Sequence, residues 1–395
     1  MNDEHYITAA EAATLLGVTI NTLYVYVGRK GLRSQPIPGS RSRRYWKPDI
    51  LQFMATRGER APSAASSASA LTLRTDNGPF YRGQSALTLA DNASLEEIAG
   101  LLWGCDHSEV FTPTEPRAAS DIGGWMEQVT RQSSVERALA LIPRLEMHDK
   151  RAYDFTPHGM ASTGGEIVRW MAAIVMKQSL PPCVPIHHYI ANSLNLDHKH
   201  EDLVRRLLVL SADHGFEPVT YAVRAVASTG VTLWRSVMVG LMVALGRLSG
   251  YSRFSALHRL QSELLQSNDA EGVLLPYLRA GETVPGFSST LYDGDDPRAS
   301  MLMRNCTEAF YGDPRMVTVG RFTKIMHDAT GIAPDFAFAS SLTGFLIGLP
   351  PGDSLFHIGR SVGWIAHARE QFAEAEVEHR KARYSGVMPR PDITL

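Results

Sequence analysis

Arg29, Lys30, Arg33, Arg41, Arg43, Arg44 and Lys47 cluster in one short stretch of the chain, offset only by Asp49. Guanidinium and ammonium groups set this densely suit phosphate oxygens. Just ahead of them, Asn21 and Thr22 have the donors and acceptors that can reach base edges. Such chemistry needs local elements that hold these groups along one face. Thr8-Ala9-Ala10-Glu11 reads as a capping box opening a helix that runs to about Leu16, where Gly17 ends it. Thr19 or Asn21 can cap a second helix, whose Leu23, Tyr24 and Val27 recur at helical spacing. The loop from Gln35 to Ser40 leads into Arg41–Trp46, and Lys47-Pro48-Asp49 begins a third helix with Ile50, Leu51 and Phe53 as its apolar face. Helix, turn, helix, hairpin, helix is the order of a winged helix-turn-helix. Asn21 and Thr22 would then start the recognition helix, and Arg41, Arg43 and Arg44 would form the wing.

The run Tyr6-Ile7-Thr8 … Glu11-Ala12-Ala13 … Leu15-Leu16-Gly17-Val18 … Thr22-Leu23-Tyr24 resembles the mercury-resistance-regulator (MerR) and excisionase type of winged domain. The resemblance implies double-stranded DNA as a partner for residues 1–56. The alternatives are a solvated basic surface or a domain that serves only protein contacts, since a fold does not fix a function. Residues 57–72 read as a flexible linker. From Arg57 to Ala70 they are Ala/Ser-rich with no large apolar side chain, too little to offset the entropy of ordering.

The whole chain of 395 residues has room for a large core and two or three domains. Its composition, 44% hydrophobic and 20% charged, is that of a soluble globular protein, and a net charge of −2 excludes no partner until resolved along the chain. Cys105, Cys183 and Cys306 contain no C-x-x-C pair and fit a reducing cytoplasm rather than a disulfide framework. The N-terminus lacks a signal-peptide pattern. The apolar run Val231–Leu245 is broken by Arg235 and is too short for a bilayer, so no membrane partner is expected. No internal repeat or metal-ligand spacing stands out. From Leu71 onward the pattern is helical: Ser94 caps an acidic, apolar-spaced segment ending at Trp103, and further helices are predicted over Glu201–Ala212, Thr220–Ser228 and Leu233–Leu248. The body is therefore expected to be all-α.

Several segments of that body carry a second resemblance. Gly286, Phe287, Tyr292, Asp296, Pro297, Arg298 and Ala299 fall in register with the G-F-G-H-R-V-Y-x-x-x-D-P-R-A segment of citrate synthases. Phe80-Tyr81-Arg82-Gly83, Leu95–Trp103, Leu210-Ser211-Ala212-Asp213-His214-Gly215, Ala227-Ser228-Thr229, Ala333-Pro334-Asp335-Phe336 and Phe356–His367 also resemble that family's motifs, in the family's order. The resemblance covers residues 73–395 and implies a two-domain helical body, with a small domain at roughly 250–340 inserted in a large one.

The family joins acetyl-CoA to oxaloacetate with no permanently bound cofactor. The resemblance implies Asp335 as the base that removes the methyl proton, and His214, Arg298 and Arg360 as groups that hold the carboxylates of the acceptor. Alone, His214 would read as a core histidine, Asp335 as a helix cap, and either arginine as a surface charge. Arg380 lies beside the position of an arginine that reaches into a partner subunit; in strict register that position is His379. The two catalytic histidines are replaced. One position is Arg253, with His258 five residues later, and the other is Ser289. Glu217 replaces an asparagine and adds negative charge near a dianion site. Loss of one oxyanion donor costs about 10²–10³ in rate.

Three readings follow. The leading one is a DNA-binding regulator whose body senses a di- or tricarboxylate or an acyl-CoA. The second is a citrate-synthase-type enzyme of impaired or altered activity, using acetyl-CoA or another acyl-CoA with Arg253 as oxyanion donor. The third is a non-catalytic partner subunit of an intact citrate synthase. A homodimer is expected by resemblance, with a heterodimer with a paralogue as the alternative; two DNA-binding heads on a dimer would match a palindromic site.

Overall fold

The computed structural model describes residues 6–20, 22–24, 27, 32–37, 39–40, 42–47, 49–50, 68–112, 121–246, 251–287 and 291–374. The chain divides into two units, residues 1–68 with 379–395, and Ser69–Glu378.

In the first unit, β1 (Tyr6–Thr8) and β2 (Ser34–Pro36) both pair antiparallel with β3 (Arg43–Trp46). Thr8 ends β1 and caps the helix Ala9–Leu15: its hydroxyl accepts from Glu11 N at 3.2 Å, while the Glu11 carboxylate accepts from Thr8 N at 2.8 Å. Gly17 turns the chain at φ +59°. The Thr19 hydroxyl then accepts from Thr22 N at 3.3 Å, so Thr19 caps the stretch in which Thr22, Leu23, Tyr24 and Val27 are helical. Ala12, Leu16, Leu23, Leu32, Tyr45 and Ile50 form the unit's small core.

Two details revise the picture of a uniform basic stripe. Arg33 stacks over Trp46 and pairs with Asp49 at 2.7 Å, so its charge is matched within the unit. The Thr22 hydroxyl is hydrogen-bonded to that of Thr19 at 2.9 Å, part of the cap rather than a free reader of bases. Arg43 is exposed on β3, with its guanidinium donating to the hydroxyl and carbonyl of Ser34, and Arg44 follows it, half-buried. Asn21, Arg29, Lys30 and Arg41 lie outside the described residues, as does most of the expected linker.

The second unit opens with strands, a correction to the all-α expectation. β4 (Thr72–Thr75), β5 (Gly78–Tyr81) and β6 (Gln84–Ser85) form an antiparallel sheet in that order. Asp76-Asn77 makes the tight connection, and Gly78 takes the positive φ of +98° that follows it. The rest of the unit is mostly helical. The predicted helices appear as His198–Ser211, Pro218–Ala227 and Leu233–Ala244. The first begins early because the Asp197 carboxylate accepts from Lys199 N and His200 N.

At the centre lies the helix Phe356–Glu374. It packs against Leu95–Trp103, Pro157–Val175, His198–Ser211, Pro218–Ala227 and Leu233–Ala244. Gly359 and Gly363 allow this closeness. A Cβ on Gly359 would stand 2.5 Å from the Leu208 carbonyl oxygen, and one on Gly363 2.3 Å from that of Ala212. The unit also contains the helices Tyr251–Ser267, Ala270–Ala280, Pro297–Ala309, Pro314–Thr330 and Phe336–Leu346, with Phe287 wedged between Phe322 and Phe338. Among the described residues no helix is long and apolar enough to cross a membrane.

Candidate active site

The contact between Phe356–Glu374 and His198–Ser211 builds one wall of the site. Because Gly363 N donates to the Ala212 carbonyl at 3.1 Å, Arg360 is carried to the turn Asp213-His214-Gly215. Arg360 is 3% exposed, and its Nε donates to the Ser211 carbonyl at 2.8 Å. The turn itself is pinned from beneath. Asp213 is fully buried, its carboxylate accepting from Gly215 N and facing His367 Nε2 at 3.3 Å. Burial works to raise the Asp213 pKa, but His367 and Arg360 prevail and hold it at about 2. Tyr81, from the Phe-Tyr-Arg-Gly segment on β5, accepts from Asp213 N at 3.3 Å and reaches the Val209 carbonyl at 3.0 Å.

His214 is buried on the other side of this turn. Its Nε2 lies 2.7 Å from the Tyr292 hydroxyl and its Nδ1 3.2 Å from Glu217 Oε1. Burial and then Arg298 drive its pKa down to about 4, against the pull of Glu217, so the ring is neutral at pH 7. Its Nε2 is hydrogen-bonded to the Tyr292 hydroxyl, whereas Nδ1, although close to Glu217 Oε1, makes no hydrogen bond.

The same Glu217 carboxylate accepts from Arg360 Nη1 at 2.9 Å. Burial opposes its ionisation, yet Arg360 and His214 hold its pKa well below the usual carboxylate range. Glu217 occupies the N-cap position of the helix Pro218–Ala227 without capping it; its side chain turns to Arg360 instead.

Arg298 stands at the start of Pro297–Ala309. Asp296 caps that helix by accepting from Arg298 N at 3.0 Å, and also takes the Arg298 side chain through Nε at 3.1 Å and Nη2 at 2.8 Å. The pair is nearly fully buried, and Asp296 holds the Arg298 pKa up against burial. The guanidinium lies 4.4 Å over the ring of Phe336, the neighbour of Asp335. Asp335 is 6% exposed and caps Phe336–Leu346, accepting from Phe338 N at 3.0 Å. Its own N–H donates to the Gly286 carbonyl at 2.8 Å. Gly286 is required there: its φ is +82°, and a Cβ would stand 2.8 Å from Phe338 Cβ.

The fold thus brings His214, Arg298, Asp335 and Arg360 into one region, joined through Tyr292 and Phe336. Ser289 and Arg380 lie outside the described residues. Arg253 falls in the helix Tyr251–Ser267, with its side chain undescribed. His258 is placed elsewhere, on a cavity of about 640 Å³ lined also by Phe254, Arg259, Ser340, Phe345 and His357. None of His214, Arg298, Asp335 or Arg360 lines that cavity. Phe356 separates the two places: Arg360 lies 4.9 Å over its ring, and Phe254 packs 6.2 Å away from it. Tyr292 and Asp296 are in register with family motifs, but no local pattern marks their partners. The relation is spatial: Asp-x-Arg at a helix start lets one carboxylate cap the helix and orient the arginine.

A family model described as "Citrate synthase, C-terminal domain" matches residues 59–385. The chain is 29% identical over 185 residues to a citrate synthase of Haloferax volcanii, covering 45% of this chain and 48% of that one. It is 27% identical over 326 residues to a 2-methylcitrate synthase of Mycobacterium tuberculosis, covering 75% and 81%. The chain spans about half the length of several curated relatives that it matches. In fold it is similar to a Thermoplasma acidophilum citrate synthase solved as a ternary complex with carboxymethyl coenzyme A and oxaloacetate. The TM-score is 0.69 at 18% identity, over 86% of this chain and 98% of that one. With the order of motifs, the buried cation cluster and a family match running from the linker almost to the C-terminus, the chain belongs to the citrate synthase family.

Proposed function

We propose that the body is a citrate-synthase-type condensing enzyme of altered activity, joining an acyl-CoA to a 2-oxo acid. Asp335 is the base that takes a proton from the carbon next to the thioester; that carbon attacks the ketone of the acceptor, and water then releases the CoA thiol. The observation that carries this reading is the placement of a buried carboxylate, Asp335, one aromatic ring away from the buried guanidinium of Arg298. That placement supports the pairing of a base with an anion-holding group. The neighbouring cavity, with Arg131 and Arg259 on its lining, offers a polyanionic thioester room beyond Phe356. Arg253 and Ser289 stand as the replacements for the oxyanion donors. Acceptor-dependent release of CoA thiol from acetyl-CoA or propionyl-CoA tests the reading, and its absence from a folded protein would reject it.

Sequence alone put carboxylate or acyl-CoA sensing first; the similarity to citrate and 2-methylcitrate synthases favours the enzyme. One observation keeps sensing as the second reading: the cations of the site are already matched by Glu217 and Asp296. Ligand binding without turnover would support it. For residues 1–56 we infer a winged helix-turn-helix that binds duplex DNA, supported by the capped Ala9–Leu15 helix, the helical stretch after Thr19 and Arg43 exposed on β3. Duplex binding that weakens steeply with salt is expected, and no binding at low salt would reject it. A homodimer, rather than a pair with a paralogue, is the inferred assembly, to be checked by sedimentation.

A further inference from the structure

The charges of the acceptor wall cancel before any substrate arrives. Arg298 is paired with Asp296 and Arg360 with Glu217, while His214 between them is neutral. The two carboxylates are not equivalent. Asp296 has a structural task, since it caps Pro297–Ala309 and orients Arg298 with the same two oxygens. Glu217 has none of that kind: it stands at a helix N-cap without capping, and its side chain reaches across to Arg360 and His214. Arg360 is 3% exposed at its side chain and Glu217 25%, so Glu217 is the more open member of the pair.

We propose that Glu217 supplies from the chain itself the carboxylate that a dicarboxylic acceptor would bring to Arg360, so that the acceptor of this site is a 2-oxo monocarboxylate. This rests on the reading of the body as a condensing enzyme whose acceptor lies against Arg298 and Arg360. A second acceptor carboxylate would have to displace Glu217 and leave it facing a like charge in a poorly solvated place. Such displacement is costly because hydrogen bonds to charged groups are worth more than neutral ones and the freed carboxylate keeps its desolvation penalty. A single carboxylate, held by Arg298, meets no such conflict.

The test uses the full-length protein with pyruvate as the monocarboxylate probe and oxaloacetate as the dicarboxylate, each measured by calorimetric binding and by CoA thiol release. The wild type is expected to favour pyruvate. Glu217→Gln keeps the shape and removes the charge; it should shift the affinity ratio toward oxaloacetate by roughly 10- to 100-fold. Glu217→Asp, shorter but charged, should keep the wild-type preference, which controls for misfolding. A wild type that prefers oxaloacetate, or a ratio unmoved by Glu217→Gln, would overturn the proposal. Selective binding of pyruvate without thiol release would leave the role of Glu217 standing and reject the enzyme reading; thiol release with oxaloacetate preferred would do the reverse.

Discussion

The two halves of the site are built on different terms. In the acceptor half, each arginine is matched by an acid of the chain, and His214 is hydrogen-bonded to Tyr292. In the base half, Asp335 is fixed by its backbone N–H to the Gly286 carbonyl and by its side chain to Phe338 N. The first half is a network of paired charges; the second sets a carboxylate at a helix N-cap. The difference separates what the scaffold needs from what the chemistry needs. Changes in the acceptor half should cost stability, whereas changes at the base should cost turnover with little effect on the fold.

The sharpest separation comes from Asp335→Asn. Asparagine caps helices as well as aspartate does, so the melting temperature should barely move while thiol release falls by about 10²- to 10⁴-fold. Equal losses of both would merge the two halves. Arg298→Ala should act in the opposite way. It strands Asp296 as a buried unpaired charge, and denaturant titration should read a loss of about 3–5 kcal/mol.

Acid should weaken the second unit in two steps. His214 and His357, each brought to about 4 chiefly by burial, are neutral in the fold while their unfolded counterparts protonate near 6.5. The unfolded chain thus binds more protons in that window, so stability present above pH 6.5 is lost as pH falls toward 4, up to about 3 kcal/mol per histidine. Asp213, held at about 2, adds a second loss below its unfolded value near 3.8. A melting temperature flat from pH 7 to pH 4 would contradict the neutral-histidine account. The smallest effect is expected at Gly363→Ala, where the added methyl meets the Ala212 carbonyl. A loss of about 1–3 kcal/mol is expected by denaturant titration, and no loss would mean that the central helix can shift without disturbing Arg360.

Much of this was legible in the chain. The capping box at Thr8 and the cap at Ser94 are local signals, and they appear as read. The sheet β4-β5-β6 was missed although Asp76-Asn77-Gly78 is a turn signal, because its short strands show little alternation. The identities of His214, Arg298, Asp335 and Arg360 were available from motif order; their partners were not. That Glu217 turns from its helix to Arg360, or that Asp296 serves both a cap and an arginine, depends on packing between segments far apart in sequence.

The central claim is tested most directly by CoA thiol release from acetyl-CoA and propionyl-CoA across a series of 2-oxo acids, with wild type and Asp335→Asn compared at equal folded concentration. The account predicts acceptor-dependent release by the wild type that is lost in Asp335→Asn. No acceptor-dependent release from the folded wild type, or release that survives in Asp335→Asn, would contradict it.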